Sequence, residues 1–259
     1  MQTGTEIEFE TRGPVALITL NRPGRRNAVD AATTRALRAA LERLEADDGL
    51  AVGILRGHGP VFSAGMDLRA FVDGEADEIL FGPGRFGGFV SHARKKPLIA
   101  AVHGAALAGG FELMLACDLV VAAEGCRFGL PEAGLGLVAG AGGAFRVAAR
   151  LPRAIANEIV LGGALFGTER ALQFGLVNRV VPEEDLLEAA LVLAERLAAN
   201  APLSLQAGRA LVEAGSAGGR EEDLWQLNDE WLRRCIASED AREGAIAFAE
   251  KRPPVWRGK

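Results

Sequence analysis

The chain has 259 residues, enough for one large domain or a domain with a small appendage. Hydrophobic residues at 49% and charged residues at 24% fit a globular chain and exclude a disordered one. A net charge of −5 without a long basic run excludes a broad electrostatic footprint for nucleic acid.

The opening MQTGTEIEFE has neither a basic nor an apolar leader, so no secretory signal is expected and the cytoplasm is the default compartment. Val15–Leu20 reads as a short buried strand. NRPGRRNAVD then reads as a turn, ending on Asp30 as the N-cap of a helix. Ala36, Leu37, Ala40, Leu41 and Leu44 share one face of that helix. Ala51–Leu55 is a second buried strand, followed by the Gly-rich loop Arg56–Gly65. Residues 73–96 show no clear period, and FGPGRFGG within them reads as a turn-rich, mobile loop. Leu98–Val102 is a third strand, Phe111–Ala116 a helix and Leu119–Ala122 another strand. Leu186–Asn200, Ala207–Gly215 and Glu221–Ile236 read as helices, and the chain ends in the basic KRPPVWRGK. Short strands alternating with helices predict an α/β fold of right-handed βα units. The most apolar stretch, Leu98–Ala116, is interrupted by His103, Gly104, Gly109, Gly110 and Glu112, which suits a core segment and not a membrane span.

Three segments carry candidate chemistry. FSAGMDL (62–68) follows a strand and a Gly-rich loop. GAALAGGFE (104–112) follows a strand and opens a helix. FGLPE (128–132) leads to GAGG (140–143). A glycine pair at a strand-to-helix junction leaves first-turn N–H groups uncovered and without internal partners. Such donors suit a developing oxyanion. Gly109 and Ala64 are the candidate donors, although spacing alone does not pair them. Glu112 and Glu132 lie in apolar, glycine-rich surroundings, where burial raises a carboxyl pKa and suits it to proton transfer near neutrality. Each motif alone is weak: a glutamate after a glycine pair also caps or pairs with arginine, and FSAG also makes a plain turn.

Other chemistries fit poorly. Cys117, Cys126 and Cys235 lack metal-ligand spacing and read as small buried residues in a reducing compartment. His58, His92 and His103 form no metal pattern, and His103 is expected to bond the backbone. The absence of G-x-S-x-G argues against a serine hydrolase, and no nucleotide-binding fingerprint is present. No metal and no separate cofactor are expected.

Taken in order, these motifs resemble the crotonase (enoyl-CoA hydratase/isomerase) family. The resemblance runs from VALITLNRPGRRNA through FSAGMDL, AAVHGAALAGGFELMLACDLVVA, FGLPEAGLGLVAGAGG and GLVNRVVP to SEDAREGAIAFAEKRPPVW. It implies a spiral of ββα units over residues 1–195 and a C-terminal helical region over 196–259, in which Trp225 and Trp231 pack against neighbours. It implies an oxyanion hole of Ala64 and Gly109 for a thioester enolate, with Glu112 and Glu132 as the hydratase acids. It further implies coenzyme A contacts at Arg25, Arg26, Ala28, Ala64, Gly65, Met66, Asp67 and Leu68, with Phe248 and Lys251 reaching a neighbouring subunit. Coenzyme A would then be part of the substrate. A homotrimer or dimer of trimers is expected, with no nucleic acid or membrane partner.

The pair of acids favours enoyl-CoA hydration. FGPGRFGGF, LPRAIANEIV and the tail resemble the carnitinyl-CoA dehydratase branch, the same hydration on a trimethylammonium substrate. A quaternary ammonium calls for aromatic faces or a carboxylate, and the chain has no tyrosine. A non-catalytic acyl-CoA binder and an RNA-binding relative are the competing readings. The first is opposed by the presence of both acids, the second by the single arginine on Leu186–Asn200. Ala139, where the family commonly has proline, and Gly134, where it often has a bulkier residue, depart from the pattern and bear on acyl-chain shape.

Overall fold

The computed structural model describes residues 6–259; the first five, part of the stretch read for a leader, lie outside the described residues. β1 (Ile7–Arg12) and β2 (Val15–Leu20) form an antiparallel hairpin. From β2 onward the main sheet is parallel, adding β3 (Val52–Gly57), β4 (Leu98–Val102), β6 (Leu119–Ala123) and β9 (Arg179–Val181) in the order β1-β2-β3-β4-β6-β9. Every residue of β2 and β4 is buried. Both strand faces are covered, which explains runs such as VALITL and LIAAV that do not alternate.

A second sheet lines up β5 (Ala105–Leu107), β7 (Arg127–Gly129) and β8 (Phe166–Gly167). Only His103 and Gly104 separate β4 from β5, and residues 124–126 separate β6 from β7. The chain therefore steps from the main sheet into the second sheet before each helix. β5 leads into α4 (Gly109–Ala116), and β7 leads toward α5 (Gly143–Arg150) and α6 (Arg153–Gly162). β3 follows the same course in abbreviated form: Ser63 makes a single parallel bridge to Ala106, and α2 (Leu68–Val72) and α3 (Ala76–Phe81) follow. The ββα spiral is this repeated step.

α1 (Ala31–Ala46) starts as the sequence indicates, with the Asp30 carboxylate accepting from Thr33 N–H at 2.8 Å. It buries Leu37, Ala40, Leu41 and Leu44. α7 (Thr168–Gln173) follows β8, and α8 (Leu186–Ala198) packs on β2, β3, β4 and β6, so it belongs to the sheet layer. α9 (Pro202–Ser216), α10 (Glu221–Ile236) and α11 (Glu239–Glu250) complete the chain. Asp118 ties α9 to the sheet: its carboxylate accepts from Leu98 N–H at 2.8 Å, from Arg94 and from Arg209 Nε at 3.0 Å. The tail folds back on α11 through the Asp240 carboxylate, which accepts from Arg257 and Gly258 N–H at 2.7 and 2.9 Å. Trp256 Nε1–H donates to Ala199 O at 2.7 Å. Trp225 stays 61% exposed.

Two expectations are corrected. The 82–92 segment is anchored, with Phe86, Phe89 and Val90 all buried. Its lack of periodicity has a backbone cause, since Gly84, Arg85, Gly87 and Gly88 all have positive φ. Cys117 and Cys126 are buried thiols as expected, whereas Cys235 is partly exposed. No helix among the described residues is long and apolar enough to cross a membrane.

The turn after β2 is closed by Asn27, which is 1% exposed and sits at φ +53°. Its Oδ1 accepts from Arg22 N–H at 2.9 Å, and its Nδ2 donates to His58 O and Val61 O at 2.8 and 2.9 Å. Asn27→Ala would leave these buried groups unpaired and place a methyl side chain at a strained φ. A loss of about 3 kcal/mol is expected in urea unfolding, with an unchanged denaturant slope.

Candidate active site

Glu112 stands in the first turn of α4, a helix whose residues are buried from Gly109 to Leu115. Its own exposure is 3%. One carboxylate oxygen accepts from Gly143 N–H at 2.7 Å. Burial pushes its carboxyl pKa up; the Gly143 N–H pulls it down; the nearby Glu132 charge adds to the rise; Ala141 N–H and the Arg146 cation lower it. The balance is a value of about 7. A Cβ on Gly143 would fall 2.8 Å from Glu112 Cγ and 2.9 Å from Oε1, so only glycine admits this approach.

Glu132 sits in a short 3-10 turn, Pro131–Leu135, directly after β7. β7 is joined to the start of α4 by Ala108 N–H donating to Gly129 O at 3.0 Å, which brings the two acids to one place. Glu132 is 8% exposed, burial raises its pKa, and its buried Oε2 has no hydrogen-bond partner. An unpartnered buried carboxyl oxygen is costly and calls for an occupant with a donor.

The backbone around the acids is tightly nested. Ala108 turns the chain from β5 into α4 at φ +51°, a strained value for a residue with a Cβ. A Cβ on Gly110 would meet Ser63 O at 2.2 Å, and one on Gly109 would meet the Phe86 ring at 2.4 Å. Gly65, at φ +94°, is the complementary gap: a Cβ there would lie 2.7 Å from Gly109 N. The glycine at position 65 keeps the Gly109 N–H uncovered, and that first-turn amide has no acceptor inside its own helix.

The second expected donor is corrected. Ala64 N–H donates to Arg26 O at 3.0 Å and is committed to that turn. Val29 N–H donates to Gly65 O and Asp67 N–H to Val29 O, which turns the intervening Met66 N–H the other way. Among the described residues Met66 N–H has no acceptor. Met66 and Gly109 are therefore the candidate pair of open donors.

The remaining expected contacts divide. Arg25 and Arg26 are exposed, and no ion pair reaches them among the described residues. Ala28 is buried and its carbonyl accepts from Arg22. Asp67 is already used: it caps α2 and pairs with Arg22 at 3.3 Å. Burial pushes its pKa up, but Arg69 and Ala70 N–H groups and the Arg22 charge outweigh that and hold it low. Leu68 is half exposed. Phe248 and Lys251 lie on and just after α11, Phe248 is 87% exposed, and neither bonds to the glutamates' surroundings. His103 Nε2 lies 2.8 Å from Gly59 O, the expected backbone role. No group of three or more His, Cys, Asp or Glu among the described residues is placed to hold a metal. A cleft of about 550 Å³ beside α11 is lined by Glu243 and Arg252, which are paired at 2.6 Å, and lies apart from these acids. Leu135, Leu137 and Val138, just after Glu132, are exposed apolar side chains.

Two buried acids and two open backbone amides, on a ββα spiral, form an arrangement able to support proton transfer next to a carbonyl whose oxygen gains charge. Comparison with known proteins agrees. A family model described as enoyl-CoA hydratase/isomerase matches residues 10–259. The carnitinyl-CoA dehydratase of Salmonella typhi is 45% identical over 258 residues, 98% of each chain. The crystal structure of an enoyl-CoA hydratase from Mycobacterium marinum superposes with a TM-score of 0.93 at 47% identity, over 99% of this chain and 100% of that one. A carnitinyl-CoA hydratase from Mycobacterium avium gives 0.77 at 45% identity, over 99% and 100%. The chain belongs to the enoyl-CoA hydratase/isomerase family and has the crotonase fold.

Two outcomes follow from the geometry. Unfolded, the Glu112 carboxyl has its ordinary value of 4.5; folded, about 7. Between these the folded chain keeps a proton that the unfolded chain has released, so stability falls as pH rises through the window. Glu112→Gln removes the ionisation, and relative to that variant the wild type should lose about 3 kcal/mol between about pH 5 and about pH 8 in chemical unfolding. Gly143→Ala should displace the Glu112 carboxyl, cost about 1–3 kcal/mol by overpacking and depress turnover more than substrate binding in steady-state assays.

Proposed function

We propose that the protein catalyses the reversible addition of water across the α,β double bond of an enoyl-CoA thioester. The observation that carries this reading is the pair of buried acids: Glu112, fixed by Gly143 N–H, and Glu132, with an unpartnered oxygen. Mutual repulsion and burial favour one shared proton at neutral pH, so the pair holds a base and an acid together. The thioester carbonyl accepts from the Gly109 and Met66 N–H groups, which polarises the double bond. The ionised carboxylate takes a proton from water as its oxygen bonds to the β-carbon, and the protonated carboxyl delivers its proton to the α-carbon. The added atoms sum to one water, and no other reactant is consumed.

The coenzyme A end is read at the exposed Arg25, Arg26 and Leu68, with Phe248 and Lys251 completing the site of a neighbouring subunit in a trimer or dimer of trimers. Exposed Trp225, Leu232 and Ile236 on α10 support such assembly. A cytoplasmic role in fatty acid β-oxidation accords with this chemistry.

The carnitinyl-CoA reading is the second, supported by the 45% identical Salmonella protein of that name. Against it, the Arg146 guanidinium already lies 5.2 Å from the centroid of Phe145, and Phe86 is buried on Gly109. A cation over an aromatic face opposes a second one there. The exposed apolar Leu135, Leu137 and Val138 that follow Glu132 favour an uncharged acyl chain.

Loss of enoyl absorbance with crotonyl-, longer enoyl- and crotonobetainyl-CoA separates the readings, with crotonyl-CoA expected to react faster than crotonobetainyl-CoA. Glu112→Gln and Glu132→Gln should each lower kcat about a thousandfold while acyl-CoA binding stays within about threefold. Unchanged turnover in either variant would sink the mechanism.

A further inference from the structure

Arg146, on α5, sends its guanidinium between two loops that touch opposite sides of the site. Its Nη1–H donates to Ala141 O at 3.0 Å, and its Nη2–H donates to Val90 O. The first carbonyl belongs to the turn whose Gly143 N–H holds Glu112. The second belongs to the anchored 82–92 segment, whose Phe86 ring packs on Gly109. Gly142, at φ +99°, makes room for this cation: a Cβ there would lie 2.1 Å from Nη1. The turn is thus shaped by Arg146 at Gly142 and by Glu112 at Gly143. No carboxylate lies within ion-pair distance of Arg146 among the described residues, so backbone carbonyls are its direct partners.

We infer that Arg146 is a positioning residue: its guanidinium fixes the Ala141–Gly143 turn, and through it the Glu112 carboxyl, while bracing Phe86 against Gly109. The inference rests on the reading of Glu112 as a proton-transfer group. Electrostatics act in the same sense. Burial, then the Glu132 charge, push the Glu112 pKa up; the Arg146 charge, with the Gly143 and Ala141 N–H groups, holds it down. Arg150 on the same helix, Arg94 before β4 and Glu213 on α9 also face Arg146. A half-buried guanidinium that donates to two carbonyls still exerts its charge on Glu112, less screened than it would be in open water.

The test is the pH profile of kcat/KM for crotonyl-CoA, alongside NMR titration of carboxyl-labelled Glu112 in the free protein. Removing the cation raises the Glu112 pKa, so in Arg146→Met the limb set by Glu112 should move upward by about half a pH unit or more. Turnover should fall about tenfold, with KM changed less than about threefold. Arg146→Lys should restore the position of the limb. Arg150→Met is the control: Arg150 donates to Leu115 O at 2.8 Å from the same helix, and its loss should leave the limb in place. An Arg146→Met enzyme with wild-type limb and wild-type turnover per folded molecule overturns the inference, as does an equal shift in Arg150→Met. If Arg146→Met does not fold, Arg146→Lys decides: a wild-type limb with reduced turnover supports positioning, and full turnover overturns it. The NMR titration keeps the two readings apart, because it reports the Arg146–Glu112 link even if Glu112→Gln proves active.

Discussion

The structure is organised around one expensive act, the burial of a carboxyl group in the first turn of an otherwise apolar helix. Water would solvate the Glu112 carboxylate far better than α4 does, and a single hydrogen bond from Gly143 does not make up the difference. The proton is therefore retained to about pH 7. The features around it follow from that requirement. Position 143 must lack a side chain so that its N–H can approach. Position 142 must lack one so that Arg146 can lie behind the turn. Glu132 sits close enough for its charge to raise the Glu112 pKa, and its own buried Oε2 is unpartnered.

The neighbouring backbone is held by a second constraint, the close packing of the 63–65 and 106–110 segments. Ser63 bridges Ala106, Gly110 lies against the Ser63 carbonyl, and Gly65 lies against the Gly109 amide. Side chains at these glycines would force the segments apart, and one at Gly65 would cover the Gly109 amide. Ala108 bears the cost of the sharp reversal at φ +51°, of order 1 kcal/mol, and is held there by bonds to Gly129 O and from Glu112 N–H. Strain, close packing and an exposed donor are thus one arrangement seen from three sides.

This arrangement was only partly legible in the sequence. β2 and β4 are recognisable because strands buried on both faces are continuously apolar. β5, β7 and β8 are two or three residues long and leave no periodic trace. α4 begins at Gly109, two residues before propensity would start it, because close contact with Phe86 and Ser63 forces glycine where helix preference opposes it. The acids were legible as charges in apolar runs. The choice of Met66 over Ala64 was not, because Gly65 at φ +94° turns the backbone between them and only the pairing with Arg26 and Val29 fixes which amide is left open. Arg146 offers one sequence signal, an arginine three residues after a glycine pair.

The buried acids and the exposed arginines occupy different physical environments. Glu112 and Glu132 are buried, and their ionisation is set by desolvation and by fixed backbone donors that salt does not screen. Arg25 and Arg26 are exposed on the turn whose Arg26 carbonyl takes the Ala64 N–H. Their charges are screened by ionic strength and carried on flexible side chains. The two environments are nevertheless joined through backbone. The turn that displays Arg25 and Arg26 also accepts from Ala64 and Asp67, and so decides that Met66 N–H is the amide left open.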